Sequence, residues 1–219
     1  MQGINMTKMK KVSENPGSKE KVIAAALEEF ADRGYAGARI DTIAAKAKVN
    51  KAMIYYHFKS KEKLYEIIIK DNFEIITQKI REAAVMEGEP AEALYAVIRN
   101  YMTILDSFSI NIFQILMREL ASGGEVFKRA ALPALSTTIF PLISRLIESA
   151  VKAKKIRDVN PYYTFLQVIG SIVFFNLLRI PMTGTDLGKM IFKENYLNEY
   201  CDNLLKIFKY GLELKDKKI

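Results

Sequence analysis

An all-α fold is the class this 219-residue sequence predicts, and three observations predict it. Apolar residues recur three and four apart along nearly the whole chain, the period of helices with one buried face. No stretch sustains strand alternation between hairpin signals. Breaks at Gly88, Gly123-Gly124, Asn160-Pro161 and the segment PMTGTDLG cut the later part of the chain into helix-length pieces. Half the residues are hydrophobic, enough for a real core in one domain or two small ones.

The elements follow in order. Residues 1–17 read as a flexible basic arm ending at Pro16-Gly17. From Ser18, the expected N-cap, Val22, Ile23, Ala26, Leu27 and Phe30 define a first helix that Gly34 stops. A second run, 40–47, places Ile40, Ile43, Ala44 and Ala47 on one face. A third begins near Asn50 and ends around His57. A fourth starts after Ser60 and continues without Gly or Pro to about Ala84. Further helices are expected at about 90–107, 110–121, 125–155, 160–180 and 193–214.

The formal charge is +8, and its distribution matters more than its size. Residues 1–63 hold 13 Lys/Arg against 7 Asp/Glu, and the remainder 20 against 18. Basicity concentrated in the first third suits a polyanionic partner, either nucleic acid or an anionic membrane surface. Cys201 is the only cysteine, which excludes an intramolecular disulfide and suits a reducing cytosol. With a single histidine, His57, no Cys/His zinc site is expected. No nucleophile–base–acid set stands out, so no catalytic residues, enzymatic activity or cofactor are expected. The opening residues lack the apolar core of a secretory leader. Asn160 to Leu178 is uncharged and long enough to span a bilayer, but Asn160, Gln167 and Asn176 dilute it. It reads as a buried or subunit-interface helix, with no membrane partner.

The second and third helices fit a helix-turn-helix. Ala44 supplies the small residue that lets the next helix cross closely, with Ile43 and Ala47 as core neighbours. Lys48-Val49-Asn50 supplies the turn, with Val49 expected to be buried, and Ile54 and Phe58 anchor the second helix from inside. Lys51, Ala52, Tyr55, Tyr56 and His57 then point outward. Such a helix fits the major groove, where side chains near its N-terminus reach base edges. Hydroxyls, imidazole and lysines suit phosphates. The start of the following helix, near Lys61, offers free N–H groups and a positive dipole end to another phosphate. Each residue alone reads as ordinary packing or a solvated face; the combination is more specific.

The stretch ARIDTIAAKAKVNKAMIYYHFKSKEKLYEIII closely resembles the DNA-binding region of TetR-family transcriptional regulators. Ile43-Ala44, Ala47, Val49, Ile54-Tyr55, His57-Phe58, Lys61-Glu62 and Leu64 carry the resemblance. Phe30, Gly34 and Tyr35 of the preceding ALEEFADRGYAGA look like the family's first helix. The motif covers roughly residues 18–69. It implies an N-terminal three-helix helix-turn-helix domain over 18–64 and a helical effector-binding and dimerisation domain over 65–219. It also implies DNA contacts from Arg39, Thr42, Lys48, Asn50, Lys51, Ala52, Tyr55, Tyr56, His57 and Lys61. Lys48 stands where the family usually has the turn glycine, and Ala38-Arg39 where a hydroxyl often caps the second helix. Ala52 replaces a frequent glycine, and Asn50, in place of serine, caps the recognition helix equally well.

By the same resemblance the chain is a cytoplasmic, ligand-responsive regulator, most often a repressor, binding a palindromic operator as a homodimer. A seven-residue reader touches few bases, so two copies are needed for useful specificity. The helices at 160–180 and 193–214 form the expected four-helix interface, with Tyr196, Leu197, Tyr200, Leu204 and Phe208 as its stripe on the last helix. Tyr101, Met102, Leu105, Phe108, Phe113, Met117, Phe140, Phe165 and Phe174 are candidate walls for a small, mostly hydrophobic effector. Arg99, Arg118 and Glu119 could add charge there.

Overall fold

The computed structural model describes residues 17–84 and 89–212, and every regular element among them is helical. In order these are α1 (Ser18–Gly37), α2 (Ile40–Ala47), α3 (Lys51–Phe58), α4 (Lys61–Ala84), α5 (Pro90–Ser107), α6 (Ile110–Ala121), α7 (Glu125–Ala130) and α8 (Leu132–Ala134). A π-helical turn, Leu135–Ile139, leads into α9 (Phe140–Lys152), followed by α10 (Pro161–Met182), α11 (Asp186–Ile191) and α12 (Tyr196–Leu212). The chain divides into two compact units between Ile68 and Ile69, and α4 contributes to both. Apart from Gly17, the N-terminal arm expected at 1–17 lies outside the described residues.

In the first unit, α1 buries Val22, Ala25, Ala26 and Phe30 against α2 and α3. Gly34 breaks α1 at φ 68 and ψ 174, backbone that a side chain resists, and helical turns resume as far as Gly37. Ser18 is the first helical residue rather than the N-cap; Gly17 takes that position without a side-chain bond. Ile40, Ile43, Ala44 and Ala47 of α2 are buried, as are Ile54 and Phe58 of α3 and Leu64, Tyr65 and Ile68 of α4. Full burial of a Phe58-sized side chain contributes about 1.5–3 kcal/mol. Glu29 is buried among these apolar groups. Its carboxylate accepts from the Arg39 backbone N–H at 3.4 Å and pairs with the Lys46 ammonium at 3.3 Å. An acceptor from α1 thereby satisfies the N–H of the N-cap residue Arg39, a different donor from the first-turn N–H groups that a hydroxyl cap would take.

In the second unit, α5, α9, α10 and α12 pack around Leu94, Ile98, Leu105, Ile143, Ile147, Phe165, Val168, Ile172 and Leu204. The single helix expected at 125–155 is broken into α7, α8, the π turn and α9. Pro141 explains the π turn: it has no N–H for the carbonyl four residues back, and its ring crowds that carbonyl, so the helix widens ahead of it. Glu119 is buried, and its Oε1 accepts from the N–H groups of Val126 and Phe127 at 2.7 and 3.2 Å. This carboxylate satisfies the start of α7 across a turn, which corrects its reading as a charge available to a ligand. The last helix begins at Tyr196, and α11 begins inside the segment PMTGTDLG, read as a loop, and runs on to Ile191. Thr185 caps it by accepting from the Gly188 N–H at 3.0 Å.

Leu132–Lys152 and Pro161–Met182 are both long and apolar enough to cross a membrane. Each instead contributes one face to the packing of this unit, and the first carries exposed Glu148 on its other side.

Candidate nucleic-acid interface

The turn between α2 and α3 keeps its expected geometry without glycine. Lys48 adopts left-handed backbone, φ 54 and ψ 44. Its N–H bonds the Ala45 carbonyl at 3.2 Å and the Val49 N–H reaches Ala44 at 3.0 Å, the paired closure of a Schellman motif. Holding a lysine there costs roughly 1 kcal/mol relative to glycine. Val49 is half-buried rather than fully buried. Asn50 then caps α3, its Oδ1 accepting from the Ala52 N–H at 2.8 Å.

With Ile54 and Phe58 turned inward, α3 presents Lys51, Ala52, Met53, Tyr55 and Tyr56 to solvent, Tyr56 at 70% exposure. Met53 belongs to this surface although sequence reasoning passed over it. Its place three residues after Asn50, out of phase with Ile54 and Phe58, was the available signal. Lys51 is not idle: its ammonium meets Asp41 at 2.7 Å, and that bond holds its pKa above the ordinary lysine value. Arg39 and Lys48 are exposed, and Thr42 is half-buried on the same α2–α3 pair.

His57 is only half-exposed and its Nε2 shares a hydrogen bond with the Ser18 hydroxyl at 3.1 Å, which ties the end of α3 to the start of α1. α3 ends at Lys59, a second lysine with positive φ, at φ 66 and ψ −43. Ser60 N–H bonds the Phe58 carbonyl at 2.8 Å, closing a tight γ-type turn into α4. Lys61 points back into its own unit. Its ammonium donates to the carbonyls of Tyr35 at 2.7 Å and Ala38 at 3.1 Å.

The pocket candidates separate into several places. Tyr101 and Phe165 line one apolar cavity with Ile80, Leu94, Ile143 and Phe208 around them. Its volume is about 40 Å³. Burial there pushes the Tyr101 hydroxyl pKa well above its usual range. Phe140 packs at a tilt against Tyr162 and Phe165 and is not on the cavity wall itself. Leu105 and Phe113 are buried in the core and Phe108 is half-buried, none of them on the cavity wall. Met102 borders a polar cleft with Arg99 and Cys201, and burial raises the Cys201 thiol pKa. Met117 lies in a shallow groove with Leu177 and Pro181. Phe174 is 58% exposed on the face of α10 away from Ile172, too open to wall this cavity. Of the stripe on α12, Leu204 is buried, Phe208 lines the cavity and Tyr200 donates to the Ser171 carbonyl, so these residues serve their own unit. Among the described residues, no cluster of His, Cys, Asp or Glu is arranged to hold a metal.

Residues 22–68, the helix-turn-helix and its flanks, match the family described as bacterial regulatory proteins, tetR family. The chain is 28% identical over 140 residues to the transcriptional activator FasR of Mycolicibacterium smegmatis, covering 63% of each chain. With the transcriptional repressor NicS of Pseudomonas putida it shares 26% identity over 196 residues, 86% of this chain and 91% of the other. The match to FasR therefore spans less than two thirds of that relative. A solved structure of a Clostridium perfringens regulator assigned to fatty acid metabolism superposes with a TM-score of 0.74 at 25% identity, covering 89% of this chain and 100% of that one. The Bacillus subtilis regulator FadR, solved with stearoyl-CoA, shares the fold at a TM-score of 0.69 and 18% identity, covering 88% and 98%. Reading helix, capped turn and family match coincide on one segment, so residues 22–68 carry the DNA-binding region of the tetR family of bacterial transcriptional regulators.

Proposed function

We propose that this protein is an operator-binding homodimer that represses transcription and leaves its DNA when a small hydrophobic effector enters the second unit. The outward face of α3 carries the reading: a short helix anchored by Ile54 and Phe58 whose exposed side is cation and tyrosine. Lys51, Ala52 and Tyr56 face base edges, with Met53 beside them. Arg39, Thr42, Lys48 and Tyr55 meet the backbone, and Asn50 and His57 lie against it while capping α3 and holding Ser18. Lys51 exchanges Asp41 for DNA on binding. Residues 18–64 are then the reader and 65–219 the effector-binding and dimerisation domain, and a cytoplasmic location follows from the target.

A second copy of the chain is the partner best suited to α10. Tyr163, Leu166, Phe174 and Leu178 form an exposed apolar stripe at helical spacing on that helix, and Ile207 and Tyr210 are exposed on α12. Two readers related by two-fold symmetry require a palindromic site.

The effector enters the cavity around Tyr101 and Phe165. Its apolar lining suits a fatty acyl chain, the ligand class carried by FadR and in keeping with the Clostridium relative. At about 40 Å³ the cavity holds no such chain until its helices part. An effector therefore favours an opened arrangement, and the difference between the two arrangements is what it can transmit. Ile80 on the cavity wall belongs to α4, whose first turns belong to the reader.

Selection of bound duplexes from a random library tests the reading. Two inverted half-sites should emerge, and titrating fatty acids and acyl thioesters of increasing length should release the selected operator. Enrichment of no sequence, or preference for anionic vesicles over DNA, would refute it.

A further inference from the structure

We infer that Lys61 is a positioning residue that clamps the first turn of α4 to the end of α1, rather than a grip on the DNA backbone. The inference deepens the DNA-binding reading above, since the clamp sets how the reading unit is held. The carbonyls of Tyr35 and Ala38 lie at the broken end of α1, where backbone acceptors lack helical partners. Lys61 Nζ donates to both, at 2.7 and 3.1 Å, and complements the negative end of the helix dipole. The same ammonium stands 4.6 Å from the centre of the Tyr35 ring, a cation–π contact. Beneath it, Tyr35 packs on Tyr65 at 5.1 Å, and Phe30 meets Tyr65 edge-on at 4.9 Å. Three rings and one ammonium thus join α1 to α4 across 26 residues of sequence.

The neighbouring turn works in the same direction. Lys59 closes α3 onto α4 in a strained γ-type turn, leaving little slack between the two helices. Clamp and turn together make the first turn of α4 move with α1 and α3 as one body. A phosphate reaching Lys61 would have to compete with two carbonyls and a ring already in place.

Two measurements on the full-length protein test this, and the first needs no DNA. In Lys61→Met, amide hydrogen exchange at Ala38 and Leu64 should quicken about tenfold, and Lys61→Arg should restore most of the protection. Tyr35→Leu should reproduce part of the effect. Unchanged exchange at both amides in Lys61→Met overturns the clamp, whatever the protein binds. If Lys61→Met fails to fold, Lys61→Gln, which keeps the stem and an amide donor, gives the same comparison. The second measurement is the salt dependence of operator affinity. A positioning role predicts weaker binding at an unchanged slope of log affinity against log salt. A slope shallower by about one marks a lost phosphate contact and overturns the inference. If the wild-type protein selects no operator, the DNA reading fails and the exchange measurement still decides the clamp.

Discussion

Three lysines, Lys48, Lys59 and Lys154, hold left-handed or positive-φ backbone at helix ends where glycine is the usual occupant. At Lys48 the exchange can be weighed. Lys48→Gly should raise stability by about 1 kcal/mol, read as a higher denaturation midpoint. It should also weaken operator binding and make its salt dependence shallower by about one, if the exposed ammonium meets a phosphate. A variant gaining stability with unchanged affinity would show that the lysine is there for no electrostatic reason. Single residues also mark the limit of what could be read beforehand. Asn50 as a cap and Ile54 and Phe58 as anchors were legible, because each depends on near neighbours in sequence. That Lys61 turns back to Tyr35 and Ala38, or that His57 meets Ser18 39 residues away, depends on how α1 returns past α3, which no local pattern encodes.

Elements followed their periodicity where one buried face dominated, as in α1 to α6 and α10. They departed from it where proline and a borrowed cap intervened. Pro133 and Pro141 sit inside an apolar run that counts as helical on either side, so the expected helix at 125–155 becomes four pieces. The six-residue α11 escaped notice because Thr183, Gly184 and Thr185 before it and Gly188 within it also describe a loop, although Thr185 and Asp186 are a fair start signal. At α7 the decisive group is remote. Glu119 Oε1 holds two N–H groups in a buried setting, so Glu119→Ala should destabilise the protein by about 2–3 kcal/mol. Glu119→Gln, which keeps an acceptor, should cost less. Effector affinity measured on the folded fraction should not change in either variant; a selective loss of affinity would return Glu119 to the ligand.

For the whole molecule, the division at Ile68 and Ile69 gives each unit its own core, and α4 is the helix shared between them. On the proposed reading, the outer face of α10 would set the assembly. Phe174→Lys places a charge in the exposed stripe while leaving the inward Phe165, Val168 and Ile172 untouched, so the monomer should keep its helical content. Sedimentation should then show a halved mass, and operator affinity should fall at least about a hundredfold as the second reader is lost. A dimer that persists in this variant would place the interface elsewhere. The helix at 160–180 was legible as an interface element, but not which of its faces turned outward. Phe165 and Phe174 lie half a turn apart on it, and which of the two meets the core is set by the packing of α5 and α9, which no local pattern encodes.

The narrow cavity implies a way of measuring length. An acyl chain short enough to lodge without parting α5, α9 and α10 would occupy the protein silently. Each further methylene forces the walls apart and gains about 0.8 kcal/mol of burial in return. If the effector is an acyl chain, as proposed, the gene would stay shut below some length, where the forcing wins, and open above it, where the burial wins. A void of about 40 Å³ would thus act as a threshold ruler, setting a minimum chain length for the signal.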